Sequence, residues 1–213
     1  MANILLGVTG SVAAIRTPAL FRAFRDAGHS VRVIATEPAL HFFDPADLGP
    51  KHEDGGPIFR DVDEWPSANW QRDDPVLHIA FRSWADLLIV APLDANTLGK
   101  FALGVCDNFL TCVFRAWDFS KPLVLAPAMN TLMWRNPVTR RQLAMLLEDH
   151  GDGETSEGWT LDEADAVFAR HAPRILLVPP QSKRLACGDI GVGAMAEVVV
   201  LAETVRNIVA VED

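Results

Sequence analysis

Apolar residues in this chain gather into short unbroken runs separated by segments with helical spacing. Ile4-Leu5-Leu6-Gly7-Val8 is the first run, and its lack of alternation predicts a parallel strand buried on both faces. Thr9-Gly10-Ser11 reads as a turn, and Val12 to Ala27 carries apolar positions at Ala13, Leu20 and Phe24 with arginines opposite them, predicting one helix. Gly28 stands where such a helix would be capped, and Ser30 to Ala35 is the second strand. Further strands are predicted at Asp86 to Ala91, Pro122 to Ala126 and Ile175 to Val178. Helices are expected from about Ala95, from about Asp107, across roughly 130–149 and at Glu197 to Val209. Strands alternating with helices imply a mainly parallel sheet covered on both faces.

Two stretches break this rhythm. Residues 44–75 are rich in Asp, Pro and Gly with apolar islands at Ile58-Phe59, Trp65 and Trp70, and read as a long covering loop. Residues 148–173 are acidic and glycine-rich around Trp159, and read as a solvated surface insertion. With 213 residues and no internal repeat, the whole chain (1–213) is expected to form one domain.

Charge narrows the partners. The net charge is −9 and the pI near 5.1, which argues against nucleic acid and against an anionic membrane surface. A phosphate must therefore be held locally, by backbone amides and helix ends. No apolar run approaches the roughly 20 residues that cross a bilayer. Met1-Ala2-Asn3 leads into a strand without a basic segment or cleavage site, so a cytoplasmic location is expected. Cys106, Cys112 and Cys187 form no metal-type pair, and no metal site is expected.

Open α/β sheets bind ligands beyond the carboxyl ends of their strands, and four such places carry chemistry here. Gly10-Ser11-Val12-Ala13 offers a close-approach glycine, a hydroxyl and a helix start, which suits a phosphate, although an N-capping serine explains Ser11 equally well. Pro92-Leu93-Asp94-Ala95-Asn96-Thr97 crowds three short polar groups at a strand exit, more than capping alone requires. Pro127-Ala128-Met129-Asn130-Thr131-Leu132-Met133-Trp134 places Asn130 among residues that, singly, are ordinary core. Within Lys183 to Glu197, Ala186-Cys187-Gly188-Asp189 sets a thiol in a glycine-rich segment outside any predicted element, whereas Cys106 and Cys112 are expected to be small buried hydrophobes. His78, in Val76-Leu77-His78-Ile79-Ala80, is by spacing alone undecided between structure and chemistry.

Taken in this order, and with His78, these four motifs resemble the homo-oligomeric flavin-containing cysteine decarboxylases, from Ile4 to about Val209. The pattern is nearest to the members that act in coenzyme A biosynthesis. The resemblance implies a flavodoxin-like three-layer α/β sandwich, assembled as a trimer or a dodecamer of trimers, with FMN near a subunit interface. It implies that Gly10, Ser11 and Val12 hold the FMN phosphate, that Thr36 and Phe43 line the flavin, and that Asp94, Ala95, Asn96 and Thr97 approach the flavin and its ribityl chain. His78, Asn130 and Cys187 correspond to the catalytic set, with Asn130, Met133, Ala186 and Cys187 on the substrate. Asp94 stands where many members have Ser, and is expected to face ribityl or backbone groups rather than a phosphate.

The implied chemistry supplies the electron sink that a simple carboxylate lacks. Flavin oxidises the cysteine side chain to a thioaldehyde, carbon dioxide leaves, and a proton from Cys187 lets the hydride return. The expected substrate is 4′-phosphopantothenoylcysteine, giving 4′-phosphopantetheine. The alternative is the C-terminal cysteine of a ribosomally made peptide, left as an enethiol, for which the segment around Trp159 is a candidate clamp. Other relatives are regulatory subunits that inhibit a protein phosphatase, a role that the joint presence of His78, Asn130 and Cys187 disfavours. An electron carrier of the same fold would need neither Asn130 nor Cys187.

Overall fold

A computed structural model describes residues 1–49, 57–66, 69, 71–153, 158–184 and 190–212. Six parallel strands form the main sheet: β1 (Asn3–Val8), β2 (Ser30–Ala35), β3 (Ile58–Phe59), β4 (Leu87–Leu93), β5 (Leu123–Pro127) and β6 (Ile175–Leu177), in the order β3-β2-β1-β4-β5-β6. Their apolar runs lie wholly inside: Ile4, Leu5, Leu6 and Val8 are fully buried, as are Leu88, Ile89 and Val90. β1 pairs β2 on one side and β4 on the other, so the strand order reverses between β1 and β4. Crevices open at such switch points, at the carboxyl ends of the strands.

Helices cover both faces. One apolar layer packs α1 (Thr17–Asp26) and α9 (Val198–Glu212) on the sheet through Leu20, Phe24, Leu201 and Val205. The other holds α3 (Leu77–Trp84), α4 (Ala95–Leu103), α5 (Phe109–Arg115), α7 (Pro137–His150) and α8 (Ala164–His171), around Phe81, Phe101, Phe109, Phe114 and Phe168. Two short helices, α2 (Asp61–Glu64) and α6 (Thr131–Trp134), lie in the connections.

Several expectations need correction. The helix expected over 12–27 is two pieces, a 3-10 turn at Val12–Arg16 and then α1, which restarts at Thr17 with Pro18 in its first turn. Proline lacks an N–H and disfavours helical backbone in the residue before it, so the first piece cannot run straight through. The covering loop is more ordered than its composition suggests. It holds a 3-10 turn at Pro45–Leu48, strand β3 at the sheet edge, and α2, and a further 3-10 turn at Glu37–His41 precedes it; Trp70 lies outside the described residues.

The acidic stretch is not simply a solvated insertion. Trp159, Ala164, Phe168 and Ala172 are buried, and the Arg140 guanidinium lies 5.5 Å from the Trp159 ring centre. Residues 154–157 lie outside the described residues. Beyond β6 a hairpin was not foreseen: β7 (Gln181–Arg184) pairs antiparallel with β8 (Ile190–Ala194), forming a small second sheet.

Candidate functional site

The chain end of β1 builds one wall. Thr9 is fully buried and ties the switch point together: its hydroxyl donates to the Pro92 carbonyl (2.9 Å) and accepts the N–H of Asp94 (2.7 Å). Gly10 follows, with no room for a side chain, since a Cβ would lie 2.6 Å from Cβ of Pro38 and 3.3 Å from Oδ2 of Asp94. Ser11 caps the 3-10 turn, its Oγ accepting the Ala13 N–H at 3.4 Å, while Val12 is exposed. Backbone N–H groups at a helix start, reached across a glycine, are a cradle for an anion.

The chain end of β4 lies directly beside this turn. Asp94 caps α4 with Oδ1 on the Thr97 N–H (2.7 Å), so that oxygen serves the backbone. Thr97 is buried, Ala95 half-buried and Asn96 exposed. At the end of β2, Thr36 is buried and its hydroxyl has no hydrogen-bond partner among the described residues. A buried unpaired hydroxyl is uncommon, and it fits a polar group of a bound ligand. Phe43 is buried against the α1 side of the core.

Asn130 sits after β5. Its Oδ1 accepts the Leu132 N–H at 2.8 Å as the cap of α6, which fixes the orientation of the carboxamide. Met133 on that helix is half-exposed, whereas Met129 and Trp134 are core. The β7–β8 hairpin lies against this loop: the Met129 N–H donates to the Gly193 carbonyl (3.0 Å). Gly191 faces Thr131 so closely that a Cβ would overlap its side chain. Leu185 to Asp189, and with them Ala186 and Cys187, lie outside the described residues. The strands of the hairpin flank that segment on both sides.

Ser11, Val12, Ala13, Asn130, Lys183 and Met195 share one cavity of about 390 Å³. It is rimmed by Glu197, which pairs with Lys183 from the hairpin and with Arg16 (3.6 Å) from the 3-10 turn. The structure therefore brings the phosphate-type turn and Asn130 together under the hairpin. Of the expected site residues among those described, only Ser11, Val12 and Asn130 line this cavity; Gly10, Thr36, Phe43, Asp94 to Thr97, Met133 and His78 do not. His78 lies in the first turn of α3, where its Nδ1 is 2.5 Å from Oε1 of Glu64.

Sequence reasoning missed Glu64, whereas Thr131, Lys183 and Glu197 lie in the motifs singled out but were assigned no role of their own. Glu64 had one available signal, the Asp61/Glu64 spacing that puts two carboxylates on one side of a helical turn. The expectation for Cys106 is corrected: it is exposed in the loop after α4, and only Cys112 is partly buried. Burial, and then the neighbouring Cys106 and carboxylates, push the Cys112 thiol up to about 11. That thiol is protonated at neutral pH and poorly nucleophilic.

The Flavoprotein family matches residues 1–210. Phosphopantothenoylcysteine decarboxylase of Mus musculus is 45% identical over 208 residues, covering 97% of this chain and 86% of its relative. Among solved structures, a PPC decarboxylase cysteine-to-serine mutant complexed with pantothenoylaminoethenethiol has a TM-score of 0.77 and 46% identity, covering 96% of each chain. The FMN binding protein AtHal3 has a TM-score of 0.74 and 47% identity, covering 96% of this chain and 95% of the other.

Proposed function

The chain belongs to the Flavoprotein family, and from that premise we propose that it is an FMN-dependent decarboxylase of phosphopantothenoylcysteine, a carboxy-lyase of coenzyme A biosynthesis. The observation that carries this reading is the shared cavity, in which the anion-cradling turn at Ser11 and Val12 faces Asn130 beneath the hairpin. The residues present suit FMN. Gly10, Ser11 and Val12 hold its phosphate, the unpaired Thr36 hydroxyl and Phe43 take the flavin side, and Asp94, Ala95, Asn96 and Thr97 face the ribityl chain. When bound, FMN supplies reversible two-electron oxidation of the cysteine side chain, the sink that lets the carboxylate leave.

The protein's own groups do the rest. Asn130, its amide fixed by the Leu132 N–H, hydrogen-bonds the substrate carboxylate and holds it in one geometry. Met133 and Ala186 pack against the substrate. His78 moves a proton at the thiol. Cys187 delivers a proton to the carbon that carbon dioxide has left; the saturated thiol also requires the hydride held by reduced FMN, returned to the neighbouring sulfur-bearing carbon. The working assembly is a homotrimer, or a dodecamer of trimers. Exposed Val62, Trp65 and Ile79 beside His78 support it, because large apolar side chains gathered near a site favour burial by another copy. A cytoplasmic location accords with the free thiols of Cys106 and Cys112. No helix among the described residues is long and apolar enough to cross a membrane.

The test is to incubate the yellow holoenzyme with phosphopantothenoylcysteine and, separately, with a peptide ending in cysteine. The phosphopantothenoyl compound should lose the mass of one carbon dioxide and nothing more. Turnover of the peptide alone, with loss of two further hydrogens, would overturn the substrate assignment. Trp159 is buried rather than displayed, which speaks against the peptide clamp that its position suggested.

A further inference from the structure

α2 is four residues long, and its carboxylates are committed to particular backbone groups. Asp63 accepts the Arg60 N–H (2.7 Å), and Asp61 accepts the Phe109 N–H at the start of α5 (2.8 Å). Glu64 makes two bonds to a single residue. Its side chain is only 4% exposed, Oε2 accepts the backbone N–H of His78 at 3.0 Å, and Oε1 meets the His78 ring at Nδ1, 2.5 Å away. The first bond has an ordinary explanation. α3 begins at Val76, whose side chain cannot cap it, and Glu64 supplies the missing acceptor from another helix. One oxygen is enough for that.

The second oxygen is not needed by the helix. An ionised carboxylate has only acceptor sites, so the hydrogen of the neutral imidazole must sit on Nδ1. The other tautomer would set a ring lone pair against carboxylate lone pairs at 2.5 Å. Nε2 is then the nitrogen left with a lone pair, able to take up and return a proton. Bonding the backbone and the ring of one residue with one carboxylate also fixes the ring's rotation about its side-chain bonds.

We infer that Glu64 is the positioning residue of the reaction, holding His78 in the Nδ1–H tautomer so that Nε2 exchanges the proton. This rests on His78 being the proton-moving residue of the decarboxylation. Glu64 touches neither substrate nor cofactor in this assignment and acts only through the imidazole. The acidic run Asp61 to Glu64 thus carries one group of functional consequence, selected by burial and by its second bond.

The informative variant is Glu64→Gln in the FMN-loaded enzyme. A glutamine oxygen keeps the cap on the His78 N–H, while its NH₂ group donates to Nδ1 and so favours the opposite tautomer. With phosphopantothenoylcysteine, kcat should fall about 10- to 100-fold, while KM and bound FMN stay near parental values. In holoenzyme with ¹⁵N-labelled histidine, the signals absent from a His78→Asn variant should switch from Nδ1–H to Nε2–H. In the His78→Asn background, Glu64→Gln should cause no further loss of kcat. A Glu64→Gln enzyme with parental kcat overturns the inference, as does an equal loss in both backgrounds, which would mean a purely structural cap. Parental kcat in His78→Asn alone would instead remove His78 from the mechanism and leave Glu64 a helix cap.

Discussion

Gly193→Ala should disconnect the hairpin from the site while sparing the sheet. Gly193 has φ of +154° and stands where β8 crosses the loop after β5, its carbonyl accepting the Met129 N–H at 3.0 Å. An alanine Cβ there would overlap the Met129 carbonyl oxygen, which is backbone at the exit of a buried strand and has little freedom to move. The hairpin must back away instead. It then forfeits the Met129 bond, a net loss of about 1 kcal/mol. Overpacking adds about 1–3 kcal/mol, and the positive φ about 1 kcal/mol more. A total of about 3 kcal/mol or more, at about 1.4 kcal/mol per factor of ten, depopulates the docked hairpin roughly a hundredfold. Turnover of phosphopantothenoylcysteine should fall by a similar factor. Hydrogen exchange at residues 181–184 and 190–194 should accelerate, while the amides of β1, β4 and β5 keep their protection. An alanine variant that turns over within about threefold of the parent, with unchanged exchange in the hairpin, would refute the argument that this contact holds the hairpin over the site.

Gly10→Ala brings a Cβ to 2.6 Å from Cβ of Pro38, so the cradle must open; FMN affinity measured by flavin fluorescence should fall at least about tenfold while the apoprotein stays folded. Stability should decline on the acid side through His29, whose pKa lies below its ordinary 6.5 because burial, and then the nearby N-terminus, disfavour its charged form. The unfolded chain then binds a proton that the folded chain refuses, so this contribution is complete above about 6.5 and is lost as pH falls through and below that value. A His29→Gln variant, which retains an acceptor for the Ala2 N–H, should show a flatter dependence of Tm on pH between about 7 and 5.

Strands buried on both faces were readable because they are continuous apolar runs, and β1, β4, β5 and β6 fall where those runs lie, while β2 was readable from Val31, Val33 and Ile34 around Arg32. β3 was not readable, since Ile58-Phe59 is too short to show any period. The hairpin was hidden for a different reason. Lys183, Arg184, Gly191 and Gly193 are poor strand formers, and its stability comes from contacts with a loop some 60 residues earlier in the chain. The segment after Trp159 did carry a signal, since Ala164, Phe168 and Ala172 recur at four-residue steps, but the surrounding acids masked it.

At the site, the strand-exit rule pointed to Gly10, Asp94 and Asn130 from the sequence alone. The functional weight placed on His78 and Cys187 came from the family resemblance, not from spacing. Glu64 escaped notice because its partner lies 14 residues away on another helix, beyond any local pattern.

The most direct test is a single turnover of phosphopantothenoylcysteine by Cys187→Ser holoenzyme beside the parent. The account predicts that the variant releases carbon dioxide but stops at the unsaturated enethiol, two hydrogens lighter than the parent's product, with the visible flavin band bleached. The parent should end with the saturated thiol and oxidised flavin. A Cys187→Ser enzyme that yields the saturated thiol at the parental rate, or a parent that leaves the substrate's mass unchanged, would contradict it.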